Sequence, residues 1–293
     1  HRPPKLRYVL DPTRVVRLAN PAKQQKLVLI CAAAGYGKIT LMGQIARDFV
    51  VYTVWFQVDH FDSDPAVFRR NLLIGISQSC EGVGSKSLRR LEDAVDIGRE
   101  GESIIAVLNN ELREQLDKPL AICFDDLHLL DEIKFVAEFM NYLISDLPGN
   151  CTIYISSRTK PDPPLGRIRV QGSMIELDNI DLQFSKNELK KLLSETWSLE
   201  IEAHILEQLH KNIEGWAAGL VLIEDKIRAG GLVPEMFSKH RVRSHVYEYL
   251  AEEVMSGLSK EMQIVLAKCA LMDPIDPHIS RQALQIINAP AII

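Results

Sequence analysis

The chain has 293 residues, of which 46% are hydrophobic and 25% are charged, proportions that are ordinary for a globular protein. Its formal net charge of −5 argues against a DNA-reading surface within this segment, because nucleic-acid-binding domains are usually basic. The five cysteines form no Cys-x-x-Cys pair and no apolar run reaches the length of a membrane span, so we expect no zinc site, no membrane association and a reducing, cytoplasmic location.

The first element that carries chemistry is a predicted buried strand over Leu27–Ile30. A small-residue turn follows it, and then an amphipathic segment that predicts a helix over Ile39–Val50. Gly35, Gly37 and Lys38 lie in the turn, so the order is strand, small-residue loop, Gly-Lys and helix, which is typical of a phosphate-binding loop (P-loop). The alternative, a glycine turn with a solvated lysine, is disfavoured by the flanking strand and helix. The pattern predicts a nucleoside triphosphate as the ligand.

The loop departs from the strict P-loop pattern, G-x-x-x-x-G-K-[ST], at both ends. Ala32 stands where the first glycine is expected, which is a mild change if the backbone there is ordinary. Ile39 stands where a Ser or Thr hydroxyl normally ligates Mg²⁺, and its side chain has no ligating atom. Thr40 has a hydroxyl, but one residue further round the helix it points about 100° away. The sequence thus predicts an intact phosphate cradle with an incomplete metal shell.

The following elements alternate between strands and helices. Predicted strands cover Tyr52–Val58, Leu120–Phe124, Cys151–Ser156 and Met174–Leu177, with helical segments between them. Such βαβ units predict an α/β fold with a parallel sheet and flanking helices. From Ser185 onward only helical patterns occur. We therefore expect a P-loop domain over 1–181 with an N-terminal arm over 1–26, followed by two helical modules over 182–233 and 234–293.

Two acids and one arginine follow predicted core strands. Asp125 and Asp126 end the strand LAICF; in a strand beside the P-loop strand, Asp125 would hold Mg²⁺ and the second acid would orient or deprotonate water. The alternative, a solvated turn, is favoured for such a pair alone and disfavoured by the upstream P-loop. Arg158 follows CTIYISS, where it would approach a γ-phosphate or simply be a surface arginine. His128 is as consistent with a polar loop as with a phosphate contact.

A small-residue segment, Gly215-Trp216-Ala-Ala-Gly219, lies in the helical region. Trp216 is interpreted on physical grounds as a core residue, although the small residues also allow a ligand to approach closely.

Six blocks of sequence, in order from residue 27 to about 273, resemble the motifs of one family. They are AAAGYGKITL, VWFQVDHFDSDPAVF, CFDDLHLL, YISSRTKPDPPLGRIRVQGSMIEL, IEGWAAGL and VYEYLAEEVMSGLSKEMQIVLAKCALMD. The chain is similar to the MalT-type ATPases, large ATP-dependent LuxR-type regulators of the STAND class (signal-transduction ATPases with numerous domains). It departs from the family motif at Ala33, where the loop has Pro, and at Ile39, where it has the Mg²⁺-binding Thr.

The resemblance implies a nucleotide-binding module that switches between ADP and ATP, self-associates when ATP-bound and hydrolyses ATP slowly. It also implies that the last module, over 234–293, is a winged helix, and that a helical sensor and a C-terminal DNA-binding domain follow. We therefore expect this chain to be a fragment in which the winged helix is truncated. The regulator would contact DNA only through the missing C-terminal domain. Asp125 and Asp126 are the candidate catalytic residues, with Asp125 the metal ligand. The candidate nucleotide-binding residues are Ala34, Gly35, Tyr36, Gly37, Lys38, Ile39, Thr40, Arg158 and Trp216.

Two other functions stay open at this point. The first is a nucleotide-locked scaffold that binds ADP or ATP without turnover, since Ile39 leaves both hydrolysis and Mg²⁺ dependence open. The second is a P-loop enzyme with its own acceptor substrate, for which no acceptor motif is visible.

Overall fold

The computed structural model describes residues 12–19, 25–50, 52–130, 133–160, 165–221, 224 and 260–269. It contains a five-stranded sheet in which all strands run parallel. The α/β fold class predicted from the alternating pattern is thus confirmed for the described residues. The strands are β1 Leu27–Cys31, β2 Tyr52–Gln57, β3 Leu120–Asp125, β4 Cys151–Ser157 and β5 Met174–Leu177.

The strand order is β2-β3-β4-β1-β5, so β4 lies between the P-loop strand β1 and the acid-bearing strand β3. The expectation that the acids lie on a strand beside the P-loop strand is therefore wrong. The register pairs Ile30 of β1 with Ser156 of β4 and Phe124 of β3 with Ile155 of β4. The inserted strand places the end of β4, including Ser156, between the P-loop and the two acids.

The core fills both faces of the sheet, because alternate residues of each strand point to opposite sides. Leu27 and Leu29 belong to the larger cluster, where Phe56, Phe68 and Phe124 pack with ring centroids 5.2–6.0 Å apart. Val28 and Ile30 belong to the second cluster, together with residues of the first two helices. Buried on both faces, the strands are almost wholly apolar, which is why the sequence shows runs rather than alternation.

Helices connect the strands and continue after β5. They are α1 Pro12–Ala19, α2 Lys38–Phe49, α3 Pro65–Ser79, α4 Ser85–Glu92, α5 Ile97–Gln115, α6 Lys134–Ser145, α7 Gly166–Val170, α8 Asn179–Leu182, α9 Lys186–Lys191 and α10 Ala203–Ile213. Short 3₁₀ turns follow β2 and β3 at His60–Ser63 and Leu127–Leu130. The polar segment Gly82–Gly101 contains α4 and the start of α5.

The chain folds as two compact units, His1–Val221 and Leu222–Ile293. In the first unit, a π-helical turn over Leu192–Thr196 follows α9, and residues 217–221 are helical after α10. In the second unit, the structure describes a helix over Lys260–Cys269. The rest of the predicted winged helix lies outside the described residues, and the predicted boundaries at 181/182 and 233/234 stay predictions. None of the helices in the described part of the chain combines the length and apolar character that a membrane span requires.

Candidate nucleotide-binding site

The P-loop, residues 32–39, connects β1 directly to α2. Gly35 and Gly37 have φ angles of 76° and 83°, the left-handed region that side chains with a Cβ rarely adopt. Gly37 immediately precedes α2, which begins at Lys38. These two positions therefore require glycine, and the sequence supplies it at both.

The backbone amides of the P-loop form the anion-binding feature of this site. Within the described ranges, the amides of Gly35–Ile39 donate to no protein acceptor. The amides before them are held by the protein, since Ala32 N donates to Ser157 O over 3.1 Å and Ala33 N donates to Asn179 Oδ1 over 2.9 Å. Free amides at the start of a twelve-residue helix favour a bound anion.

The side chain of Lys38 is buried and folds back over the loop. Its Nζ donates to Ala32 O over 2.8 Å and to Ala33 O over 3.1 Å. Burial lowers the pKa of this ammonium, and Arg158 lowers it further, whereas Asp126 and Asp125 raise it. The charges of both acids and of Arg158 thus act on Lys38. The structure thus brings together the charged residues that the sequence nominated separately.

The GWAAG segment lies directly against the P-loop. Trp216 Nε1 donates to Ala34 O over 3.0 Å, and Ala218 N donates to Gly35 O over 2.9 Å. A Cβ added at Gly35 would lie 2.6 Å from Cβ of Ala218 and 2.7 Å from the indole of Trp216. Trp216 is buried, as its core interpretation predicted, but it is buried against the P-loop.

A buried cluster around Arg14 supports the GWAAG segment. Arg14 of α1 donates to Leu182 O over 2.6 Å, pairs with Glu188 at 2.7 Å and lies over the ring of Phe184 at 4.4 Å. The amide of Phe184 in turn donates to Gly215 O over 2.8 Å. Contacts therefore connect α1, through residues 182–188, to the GWAAG segment that contacts the P-loop.

The two acids form a tight corner at the end of β3. Asp125 is fully buried, and its Oδ1 accepts a hydrogen bond from Ser156 Oγ over 2.5 Å. Its Oδ2 is also buried and has no hydrogen-bond partner among the described residues. Burial raises the pKa of Asp125, and the charge of Asp126 raises it further, whereas the hydrogen bond from Ser156, the charge of Lys38 and the backbone amide of Asp126 lower it. Burial of a carboxylate oxygen without a partner costs free energy, and a bound cation would offset that cost.

Mg²⁺ fits this donor set. In nucleotide sites Mg²⁺ takes one or two carboxylates and fills its other positions with phosphate oxygens and water. Asp125 offers one such oxygen, while Ile39 offers none and is partly exposed at 39%. No cluster of three or more His, Cys, Asp or Glu side chains within the described ranges could hold a metal by itself. A metal here would therefore depend on Asp125 and on the nucleotide.

Arg158 and His128 border the acid corner. Arg158 is exposed at the end of β4, next to the P-loop strand. His128 Nδ1 lies 3.8 Å from Asp126 Oδ1, which places this ring beside the second acid. Tyr36 is partly buried against the second core cluster, and Thr40 is partly buried on α2.

Three residues at the site were missed by sequence reasoning. Ser156 contacts both acids, Asn179 accepts from the P-loop, and Ala218 donates to it through its backbone. A signal existed for Ser156, because it is a polar residue at the end of an apolar strand. The small-residue segment that contains Ala218 was noticed, but its contact with the P-loop was not, and nothing local marks Asn179, because each reaches the loop only through the fold.

Comparison with known proteins agrees with this geometry. The chain is 28% identical over 281 residues to the HTH-type transcriptional regulator MalT of Vibrio cholerae and 27% identical over 276 residues to MalT of Yersinia enterocolitica. The chain is similar to MalT regulators. The matches cover 94% and 92% of this chain, which confirms the resemblance that the motifs predicted, and the chain spans 30% of the length of each regulator. No protein-family model matches the chain.

Solved structures show the same fold. A STAND protein with a tetratricopeptide repeat sensor from Pyrococcus horikoshii superposes with a TM-score of 0.54 at 17% identity, over 92% of this chain and 36% of that one. A Walker-type ATPase of Pyrococcus abyssi superposes with a TM-score of 0.58 at 13% identity, over 92% and 82%. This chain thus shares its α/β fold with a STAND protein and with a Walker-type ATPase.

Proposed function

We propose that this chain is an adenine-nucleotide-binding switch module of a MalT-type transcriptional regulator. The observation that carries the proposal is the P-loop, whose carbonyls at residues 32–35 are all occupied by protein donors while the amides of Gly35–Ile39 have no acceptor within the described ranges. Backbone amides without an acceptor at the start of a helix attract an anion. Phosphate is the anion that this arrangement, with Lys38 beside it, holds in P-loop proteins.

Each charged group near the loop has a task in the bound state. Lys38 would leave the loop carbonyls and donate to the β- and γ-phosphates. Asp125 would hold Mg²⁺, which neutralises phosphate charge during binding and hydrolysis. Arg158, exposed at the end of the neighbouring strand, would donate to the γ-phosphate and so distinguish ATP from ADP. Asp126 would orient water.

The switch would act through the GWAAG segment, because that segment contacts the loop that holds the phosphates. Trp216 and Ala218 fix two carbonyls of the P-loop, so a change of nucleotide that moves the loop would also act on them. This coupling supports a role in which bound nucleotide controls self-association and transcription activation. DNA would be contacted by a part of the regulator outside this chain. The division into domains at 1–181, 182–233 and 234–293 belongs to the same proposal.

Ile39 favours a second candidate, a nucleotide-locked scaffold. Without a hydroxyl at this position, one coordination position of Mg²⁺ is left to water. Slow or absent hydrolysis would then hold the module in the state set by whichever nucleotide it binds.

Calorimetric titration of the purified chain with ATP, ADP and GTP, in the presence of EDTA, tests the proposal. We expect binding of ATP and ADP with tighter affinity than GTP, since the adenine specificity follows from the resemblance and the phosphate contacts from the loop. Phosphate release measured in a separate assay with ATP and Mg²⁺ separates the slow switch from the locked scaffold. A chain freed of bound nucleotide that still binds none of the three would contradict the proposal.

A further inference from the structure

One hydroxyl holds both acids of the corner. Ser156 Oγ donates to Asp125 Oδ1 and accepts from the backbone amide of Asp126 over 3.1 Å. Ser156 is fully buried in β4, the strand inserted between the acids and the P-loop. A hydroxyl has one donor and two acceptor positions, so both bonds can form at once.

The backbone of Asp126 explains why such an anchor is needed. Its φ angle is 57°, in the left-handed region, where a residue with a Cβ is held only by its surroundings. The bond from its amide to Ser156 is one such constraint. The side chain is tied more loosely, since Gln57 Nε2 lies 3.5 Å from Asp126 Oδ2.

The hydrogen bond from Ser156 also gives the two carboxylate oxygens of Asp125 different environments. It occupies Oδ1 and leaves Oδ2 as the buried oxygen without a partner among the described residues. In P-loop sites a threonine or serine hydroxyl shares the cation with the acid, but here that position is Ile39. The orientation of a single carboxylate therefore decides how well this site holds a cation.

We propose that Ser156 is a positioning residue that fixes Asp125 for binding of Mg²⁺ together with the nucleotide. This inference rests on the proposed function, because the cation is bound only as a nucleotide complex. Residues that hydrogen-bond metal ligands typically contribute about tenfold or more to metal affinity. The dependence on Ser156 is increased by Ile39, which removes the other protein oxygen.

The test measures the ATP dissociation constant twice, with excess Mg²⁺ and with EDTA, for wild type and Ser156→Ala. The ratio of the two constants reports the contribution of the cation. We expect Mg²⁺ to tighten ATP binding to wild type and this tightening to fall about tenfold in Ser156→Ala. The constant in EDTA should stay unchanged, because the hydrogen bonds of the Ser156 hydroxyl go to the two acids.

Ser157→Ala is the matched control. Ser157 is the neighbouring buried serine of β4, and its hydroxyl donates to Thr159 O instead of to an acid. Its Mg²⁺ ratio should equal that of wild type. Ser156→Cys keeps the size of the side chain with a weaker donor, so it gives the same test if the alanine variant does not fold.

A second experiment repeats the comparison in an Ile39→Thr background, in which a protein hydroxyl is restored for the cation. In that background Ser156→Ala should reduce the Mg²⁺ ratio less than it does in wild type, because two ligands share the cation. Equal reductions in both backgrounds would contradict the role of Ile39 in the inference.

Three results would overturn the role of Ser156. These are an unchanged Mg²⁺ ratio in Ser156→Ala, an equal loss of affinity with and without Mg²⁺, and a wild-type protein that binds ATP equally well in both conditions. In each of them nucleotide binding in EDTA still supports the proposed function. Absence of binding to wild type in EDTA and in Mg²⁺ would contradict both.

Discussion

Trp216 donates a hydrogen bond from its indole Nε1 to the backbone carbonyl of Ala34, 182 positions earlier in the chain, over 3.0 Å. The bond joins the small helical segment to the tip of the P-loop. Ala218 N adds a second bond to Gly35 O, and the two residues fill the space where a side chain at Gly35 would lie. The P-loop is therefore shaped partly by a segment that follows the sheet in sequence.

Trp216→Phe removes the indole donor and keeps an aromatic ring. Ala34 O would lose its partner, and a neutral hydrogen bond of this kind contributes about 1 kcal/mol, so we expect ADP affinity to fall about threefold to tenfold. Calorimetric titration with ADP measures the change. Trp197→Phe makes the same chemical change at another buried indole and should leave ADP affinity unaltered. An equal effect of the two variants would show that the loss is one of general stability.

Arg158→Ala tests whether this guanidinium distinguishes the two nucleotides. Because the side chain is exposed next to the P-loop strand, we expect ATP affinity to fall about fivefold and ADP affinity to stay nearly constant. Parallel titrations with both nucleotides in Mg²⁺ give the two values. Equal weakening of ATP and ADP would place Arg158 at the phosphates that both nucleotides share.

Ile39→Thr restores a hydroxyl at the first turn of α2. We expect stronger Mg²⁺ dependence of ATP binding and faster phosphate release, since the cation gains a protein ligand. A coupled assay for released phosphate compares the variant with wild type. Wild-type turnover already of order 1 s⁻¹ or faster, as in ordinary enzymes, would show that the hydroxyl is not needed.

Glu188 of α9 forms an ion pair with Arg14 of α1, and its titration makes the free energy of unfolding depend on pH. Burial raises the pKa of Glu188, but hydrogen bonds from Ser185 and Arg14 outweigh it and lower the pKa to about 2. A lowered native pKa stabilises the fold above the unfolded pKa of about 4.3, and this contribution is lost as the pH falls toward 2.

Glu188→Gln should therefore destabilise the protein by about 2 kcal/mol at neutral pH. Below about pH 4.3, the stability of the variant should fall less steeply with decreasing pH than that of wild type. Urea unfolding at a series of pH values measures both effects. Glu138→Gln, which alters an exposed ion pair with Lys134, should change neither. A pH profile of Glu188→Gln that parallels wild type would contradict the low pKa.

The sequence predicted the parallel sheet and the P-loop because both depend on local patterns. Apolar runs such as Leu120–Phe124 indicate buried strands, and Gly35 and Gly37 mark backbone angles that only glycine adopts readily. The order of the strands could not be predicted in this way. Insertion of β4 between β1 and β3 is a property of the whole sheet, and no single segment encodes it.

Contacts between distant segments were also beyond local patterns. Asn179 and Ala218 reach the P-loop only because β5 and the residues after α10 return to it. Trp216 is the clearest example, because its burial could be predicted from its large apolar side chain, whereas the acceptor of its indole N–H could not. Ser156 was recognisable as an unusual polar residue in a strand, but its contact with both acids needed the register of β4.

Binding of ADP to Lys38→Ala, measured by calorimetry in EDTA, tests the central claim most directly. Loss of a charge-assisted phosphate contact, worth about 1.5–3 kcal/mol, should weaken ADP binding at least about tenfold. Lys134→Ala, which removes an exposed lysine of α6, should bind ADP like wild type. Equal ADP affinity in wild type and Lys38→Ala would contradict the assignment of this loop as the phosphate-binding site.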